Sequence, residues 1–219
     1  NYVDLIKYLT SKNYLVIRMG DNSSKKFNFS DKNFFDYAHS DINSNLMDLY
    51  LINKCKFYIA TQSGIMDTAY MFNKPTLVTN MNEIFCSYPL KKNDRGIFKT
   101  IKLKRQDKKI NLIDYINMDY SQHNPENEIL NIDFIENSPE ELYNSIIEFE
   151  NLYQSKNYKL SKNQEKINEI IKKRFYDTLY KDTLNTSDNF NKLENSKIAF
   201  WVKSSKGSLC ETYLKSIFL

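Results

Sequence analysis

The sequence predicts an α/β fold, with a Rossmann-like parallel sheet, flanking helices and long C-terminal helices. Three observations predict it. Residues 57–80 form a strand, a polar turn, a short apolar helix and a second strand, which is the βαβ unit of parallel sheets. The apolar runs are short and nearly continuous, as in strands that are covered on both faces. Residues 138–180 contain two helix patterns, each opened by a capping signal.

The composition is that of a globular protein. The 219 residues are 41% hydrophobic and 26% charged, which suffices for a sizeable core. We expect a single domain, residues 1–219, with a core at 1–100 and a helical extension at 101–219. No apolar run approaches the ~20 residues of a membrane helix, and no signal-peptide pattern is seen. We therefore expect a cytoplasmic protein without a transmembrane segment. A location at the inner face of the membrane is compatible with this expectation.

Cysteine and histidine are sparse. Cys55, Cys86 and Cys210 lie far apart without CxxC spacing, which is typical of a reducing compartment without disulfides or a zinc site. The chain has only two histidines, at 39 and 123, so we expect no metal site built on histidine.

The first 80 residues follow the order α-β-β-α-β-α-β. The spacing of apolar residues predicts helices at 2–12, 43–55 and 65–72, and strands at 14–19, 34–38, 57–60 and 76–78. Residues 22–33 are polar and are expected to form a loop. In the second helix Leu46, Leu49, Tyr50 and Asn53 are expected on one face, with Met47 and Leu51 beside it.

After residue 80 the pattern weakens. Residues 97–103 read as an extended segment, 110–116 as a short strand or helical turn, and 121–137 as a polar irregular stretch. Ser138 and Ser161 each open a long helix with a capping box. A linker at 183–196, an apolar segment at 197–202 and a closing helix at 208–219 complete the chain.

The turn formed by Thr61, Gln62, Ser63 and Gly64 is the first candidate site. It places a hydroxyl, a glycine and a helix N-terminus at the carboxyl end of a buried strand, where free N–H groups attract phosphate. In open α/β sheets ligands bind at that edge. The alternative is that these residues only turn the chain and cap the helix.

Two further strand ends point to the same edge. Arg18 lies at the carboxyl end of the strand at 14–19 and Gly20 follows that strand, and the planar guanidinium suits either a diphosphate or an edge salt bridge. His39 and Ser40 follow the strand at 34–38, where backbone groups could read a nucleobase and His39 could contact ribose or phosphate. The alternative for His39 is that it caps the helix that begins near residue 42.

Positive charge is concentrated at residues 91–109, which contain nine Lys or Arg and two Asp. A solvated connecting segment is one interpretation, and a face that binds an anionic substrate is another. Nucleic-acid binding is less favoured, because only Phe98 is available there for stacking on bases. We therefore expect no nucleic-acid partner.

Several spaced blocks resemble a family of predicted bacterial glycosyltransferases. The blocks are VIRMGD (16–21), DYAHS (36–40), MDLYLINKCKFYIATQSG (47–64) and KPTLVTN (74–80). The resemblance covers roughly residues 1–85 and resumes weakly at 204–214, whereas 100–196 resembles nothing nameable. More distantly, residues 63–78 are similar to the diphosphate-binding segment of heptosyltransferase-like enzymes, in the C-terminal half of a GT-B fold. Asp67 stands where that segment has histidine.

The resemblance implies a nucleotide-sugar donor as substrate, an unknown acceptor and no cofactor. Without a DxD motif, metal-independent transfer is expected. An N-terminal domain of the same protein, before Asn1, would supply the catalytic base, with Asp21 as a local alternative. Asp67 would contact a sugar or ribose hydroxyl. The donor-binding residues would be Arg18, Gly20, His39, Ser40, Thr61, Gln62, Ser63, Gly64 and Asp67. The competing hypothesis is a non-catalytic module that binds a nucleotide or anion and a protein partner.

Overall fold

The computed structural model of the protein describes residues 1–21, 23–84, 88–117, 132–183 and 204–218. Its strands in chain order are β1 (Val16–Arg18), β2 (Phe34–Asp36), β3 (Tyr58–Thr61), β4 (Thr76–Met81), β5 (Arg95–Phe98), β6 (Thr100–Leu103), β7 (Lys108–Ile110), β8 (Ile132–Ile135) and β9 (Ser208–Leu209). They form a main parallel sheet in the order β3-β4-β5-β9, a parallel pair β1-β2, and an antiparallel sheet β7-β6-β8.

Helices cover both faces of the main sheet. They are α1 (Val3–Ser11), α2 (Asn45–Lys54), α3 (Gly64–Met71), α4 (Leu112–Asn117), α5 (Pro139–Ser155), α6 (Lys162–Thr183) and α7 (Glu211–Phe218). The predicted parallel α/β class is thereby confirmed. In the part of the chain that the structure describes, no helix combines the length and apolar character needed to cross a membrane.

Alternate residues of the main sheet face opposite helix layers, as the pleat of a strand requires. Leu77 and Ile97 pack in a cluster with Phe149 and with apolar residues of α1 and α5. Val78 and Phe98 pack on the other face with residues of α3, α4 and α6. Each of these five side chains is at most 1% exposed, so the sheet is buried on both faces.

The two long helices begin where the capping signals predict. Ser138 accepts the N–H of Glu141, and the Glu141 carboxylate accepts the N–H of Ser138. Ser161 and Gln164 make the same reciprocal pair at the start of α6. Each cap supplies partners for backbone groups that a helix end leaves unpaired, which is why sequence alone locates these two starts.

The region after residue 98 contains more strand than the sequence predicts. The extended segment at 97–103 divides between β5 and β6, and β8 occupies part of the stretch expected to be irregular. Ser208 lies in β9 and pairs with Arg95, so the closing helix begins only at Glu211. Short strands are set by pairing across long sequence distances, which local pattern cannot show. The predicted linker and the apolar segment at 197–202 lie outside the described residues, except for Thr183 at the end of α6.

One prediction about the first half of the chain is wrong, and one predicted helix face is exposed. β2 ends at Asp36, and a 3₁₀ turn, Tyr37–His39, follows it. The exposed fractions of Leu46, Leu49 and Tyr50 are 78%, 46% and 55%, so this apolar face of α2 lies in solvent, and Ile52 is the residue of α2 that is buried.

The interpretation of residues 91–109 as a solvated connection is also wrong in part. Arg95 is fully buried at the start of β5, where its Nη1 donates to the carbonyls of Lys92 and Asp94. Burial lowers the pKa of this guanidinium. Lys91 donates to the carbonyls of Tyr70, in the last turn of α3, and of Lys74, just before β4. Lys91 therefore cannot serve a site at the carboxyl edge.

Candidate functional site

One groove brings together four of the residues predicted to bind a donor. It runs between β1 and β3, encloses about 800 Å³, and is lined at the carboxyl ends of these strands by Arg18, Gly20, Thr61 and Ser63. The strands that follow β1 and β3 lie on opposite sides of the groove. After β1 the chain adds β2 on one side, and after β3 it adds β4 on the other side. Such a reversal of strand order is where open α/β sheets bind ligands.

The N-terminus of α3 opens at this edge. Ser63 is the residue before the helix, but its hydroxyl makes no capping bond and instead lies 3.4 Å from the carbonyl of Thr61. A helix end has N–H groups without partners inside the helix, and the dipole makes it attractive to anions. By contrast, the Ser44 side chain at the start of α2 does accept the N–H of Met47.

The fold requires glycine at one of the two glycine positions of the site and not at the other. Gly20 has φ +146°, and a Cβ there would lie 2.9 Å from Ser24 Oγ, so the turn itself demands glycine. Gly64 has an ordinary φ, and a Cβ there would meet no atom within 4 Å. The fold therefore leaves the space above Gly64 open, which is compatible with close approach of a ligand to the backbone.

Arg18 is an edge residue held by its own sheet. Its guanidinium donates to Asp36 Oδ1 at 2.8 Å and to the Lys25 carbonyl at 2.8 Å, and it lies 5.7 Å from the Phe27 ring centre. Strand register sets this pair, because Arg18 lies opposite Asp36 in β1-β2. The side chain fastens the loop between these strands, as the salt-bridge interpretation predicts, while one side of it still lines the groove.

Replacing Arg18 by alanine is expected to lower the free energy of unfolding by about 1–2 kcal/mol. The pair with Asp36 is partly buried, at 22% and 17% exposed, so it exceeds a surface pair but is still screened by solvent. Urea denaturation measures this loss. Lys7→Ala breaks a pair with Asp4 that is 62% and 55% exposed and serves as the matched control, with an expected change below about 0.5 kcal/mol. Equal effects of the two substitutions would contradict the role of Arg18.

His39 and Ser40 lie at the end of β2 rather than on the groove. The Ser40 hydroxyl donates to the Tyr37 carbonyl at 2.8 Å and closes the 3₁₀ turn. His39 does not cap α2, because that helix begins at Asn45 with Ser44 as its cap. Within the described residues, the Nε2 atom of His39 is buried without a hydrogen-bond partner.

Gln62 and Asp67 have positions that the sequence did not reveal. The Gln62 side chain donates to the Glu83 carbonyl at 2.6 Å and accepts the N–H groups of Asn82 and Glu83, so it fixes the segment after β4. Its amide is thereby occupied. Asp67 is half-buried in the first turn of α3, where a carboxylate interacts favourably with the helix dipole.

Asp21 is an exposed turn residue. Its carboxylate accepts hydrogen bonds from the hydroxyl and the backbone N–H of Ser23. Both bonds lower the pKa of Asp21, and the bond from the Ser23 hydroxyl has the larger effect. A lowered pKa makes a carboxylate a weaker base, so these bonds oppose a role for Asp21 in proton abstraction.

A polar network at the carboxyl edge was missed by sequence reasoning. The Tyr2 hydroxyl shares a hydrogen bond with Thr79 Oγ1 at 2.7 Å and accepts one from Asn80 Nδ2 at 2.9 Å. Burial raises the pKa of Tyr2. The sequence feature that could have pointed to this network is Asn80, at the end of the KPTLVTN block. Its φ is +53°, a backbone conformation in which asparagine is enriched among non-glycine residues.

Comparisons of the chain with protein-family models, with curated proteins and with solved structures give no match. What the chain does must therefore be inferred from the groove, the end of α3 and the sequence blocks. Among the residues for which the structure gives positions, no group of three or more His, Cys, Asp or Glu side chains could hold a metal ion.

Proposed function

We propose that this chain is the donor-binding part of a glycosyltransferase. One observation carries the proposal: the carboxyl ends of β1 and β3 line one groove, with the uncapped N-terminus of α3 at its edge. The diphosphate of a nucleotide-sugar would lie against the backbone at Ser63 and Gly64. The blocks of residues 16–80 that resemble glycosyltransferases include all of these positions.

Glycosyl transfer requires this site to stabilise a leaving group. Transfer of the sugar leaves a nucleoside diphosphate whose developing charge must be neutralised. The N–H groups and dipole of α3, with the positive charge of Arg18 on the groove, supply that stabilisation from the chain's own residues. Asp67 would bind a hydroxyl, and the turn at His39 and Ser40 would approach the base. The general base and the acceptor site would come from a second domain of the GT-B kind.

A non-catalytic module that binds an anion and a protein partner is the second candidate. The exposed apolar side chains of α2 favour it. Leu46, Leu49 and Tyr50 lie on a helix whose N-terminus is near the same sheet edge, and exposed apolar patches mark contact sites for other proteins. Release of nucleoside diphosphate from a nucleotide-sugar, in the presence of the second domain, distinguishes an enzyme from a module.

Gly64→Ala is expected to weaken binding of a nucleoside diphosphate by at least about tenfold, which is ~1.4 kcal/mol. The added methyl group meets no protein atom, so folding is unaffected or is stabilised by up to about 1 kcal/mol. It would, however, stand between the helix N-terminus and a phosphate. Titration calorimetry against a panel of nucleoside diphosphates measures the affinity.

Asn45→Ala is the matched control for Gly64→Ala. Asn45 is the first residue of α2 and is exposed, and the Ser44 side chain already caps that helix. The control is expected to leave affinity unchanged. If Gly64→Ala bound every nucleoside diphosphate as tightly as the unaltered chain, the site at α3 would be refuted.

A further inference from the structure

The groove separates two strand edges that face each other. Among the strands that the structure describes, β1 pairs only with β2, and β3 pairs only with β4. The rings of Tyr14 and Phe57, just before these strands, lie 5.4 Å apart, while Arg18 and Thr61 line the groove at the other end. The facing edges of β1 and β3 therefore run in the same direction on either side of one gap.

Helices cover this gap above and below. Leu5 and Ile6 of α1 line it from the face that packs with α5, and Leu51 and Ile52 line it from α2. Since α2 packs against α3, it lies on the opposite face from α1. The gap thus has helices on both faces and strand edges on both sides. An α/β sandwich places a strand at such a position.

The backbone at the gap has hydrogen-bonding groups aimed into it. Val16 donates its N–H to the Asn33 carbonyl, towards β2, and Tyr58 donates to the Pro75 carbonyl, towards β4. Neighbouring residues of a strand direct their N–H groups to opposite sides. The N–H groups of Ile17 and Ile59 therefore point into the gap, where a strand could accept them.

We propose that the gap is a slot for one parallel β-strand, and that its occupant is an apolar segment of this protein's own polypeptide joined to Asn1 through a short loop. The strand would be about five residues long, the usual length in globular proteins. Because helices cover both faces, its sequence would be continuously apolar. It would unite β2-β1 and β3-β4-β5-β9 into one parallel sheet. The strand would fill the gap between β1 and β3, and the diphosphate would lie beyond the strand ends, at Ser63 and Gly64.

The position of α1 identifies this occupant. Asn1 and Tyr2 are held at the carboxyl edge of the sheet, by Asn137 and by Thr79 with Asn80. A parallel strand in the slot would end at that same edge, beside the start of α1. The unit of strand, α1 and β1 would then be a βαβ crossover.

The handedness of that crossover agrees with the structure. The unit β3-α3-β4 runs one way along the sheet, and the unit of slot strand, α1 and β1 would run the other way. Right-handed connections require the two helices to lie on opposite faces. The two helices do lie on opposite faces: apolar residues of α1 pack with Leu77 and Ile97, and those of α3 pack with Val78.

The test adds the strand to the 219-residue chain. A run of five valine and isoleucine residues is joined to Asn1 through a short glycine-asparagine loop, and the control carries the same extension with prolines at alternate strand positions. Native-state hydrogen exchange, followed by NMR, reports on individual amides. The apolar extension is expected to slow exchange at Ile17 and Ile59 by at least about tenfold, and the proline extension to change neither. The amides of Val16 and Tyr58 already donate hydrogen bonds, so their exchange rates should change less.

Two results would overturn the proposal. Unchanged exchange at Ile17 and Ile59 with the apolar extension would show that the gap accepts no strand. Equal protection by the detached peptide at equimolar concentration would show that the slot serves a separate chain. Exchange at these amides is read without nucleotide. The slot and the donor-binding proposal can therefore fail independently.

Discussion

Replacing Asn137 by alanine is expected to lower the free energy of unfolding by about 2–5 kcal/mol. Asn137 is fully buried, and its side chain accepts the N–H of Asn80 at 2.7 Å and donates to the Phe98 carbonyl at 2.6 Å. Alanine leaves both of these buried backbone groups without a partner, at a cost of about 1–3 kcal/mol each. Urea denaturation followed by circular dichroism measures the loss.

Asn151→Ala is the control, because Asn151 is an exposed residue of α5 and its change should fall within about ±0.5 kcal/mol. Asn80→Gly provides a second arm. Glycine accepts the φ of +53° but removes the side chain that accepts the N–H of Asn137. The losses in the double variant should be less than additive, since both substitutions break one network. A loss below about 1 kcal/mol for Asn137→Ala would contradict the role of Asn137 in joining β4, β5 and α5.

The free energy of unfolding is expected to fall by about 2 kcal/mol as pH rises from 4 to 7, owing to Asp94 alone. Asp94 is fully buried, and burial raises its pKa to about 6. Its folded-state pKa lies above the unfolded value of 3.8, so the native state binds the proton more tightly. The stabilisation is complete below pH 3.8 and is lost as pH rises through about 6, at ~1.4 kcal/mol per pKa unit.

Other carboxylates also contribute to the pH dependence of stability. Comparison with the Asp94→Asn variant isolates the contribution of Asp94. The difference in unfolding free energy between the unaltered chain and the variant should be larger at pH 4 than at pH 7 by about 2 kcal/mol. Both proteins are unfolded in urea at each pH. Asp94 accepts the backbone N–H groups of Thr76 and Lys91, and the variant is less stable throughout because its amide can accept only through one oxygen. A difference that does not change with pH would contradict the raised pKa.

Elements defined by local signals were predictable from the sequence. The βαβ unit at β3-α3-β4 follows from two short apolar runs around a polar turn, and α5 and α6 follow from their capping boxes. The pairing of β5 with β9 was not predictable, because Gly96 pairs with Leu209 far along the chain. The exposure of the apolar face of α2 could not be predicted, because an apolar stripe shows that a helix has a contact face and not whether that face is covered here.

The candidate site shows the same division. A strand end followed by a turn places Thr61 and Ser63 at the carboxyl edge, and the same rule places Arg18 and Gly20 there, so their shared groove follows from pattern. The partners of Gln62 could not be inferred, because Asn82 and Glu83 meet it only through the fold. The structural reason for Gly20 likewise depends on Ser24, which lies against it in the turn.

The pairing of β5 with β9 also determines when the sheet can be completed. A ribosome makes Gly96 long before Leu209, with on the order of 100 residues between them, and that interval encodes the antiparallel sheet and, among its described residues, α4, α5 and α6. Until β9 emerges, the outer edge of β5 is an open template for mispairing with other nascent chains. We therefore expect that slowing translation between β5 and β9 would increase aggregation during synthesis, whereas slowing it after β9 would not.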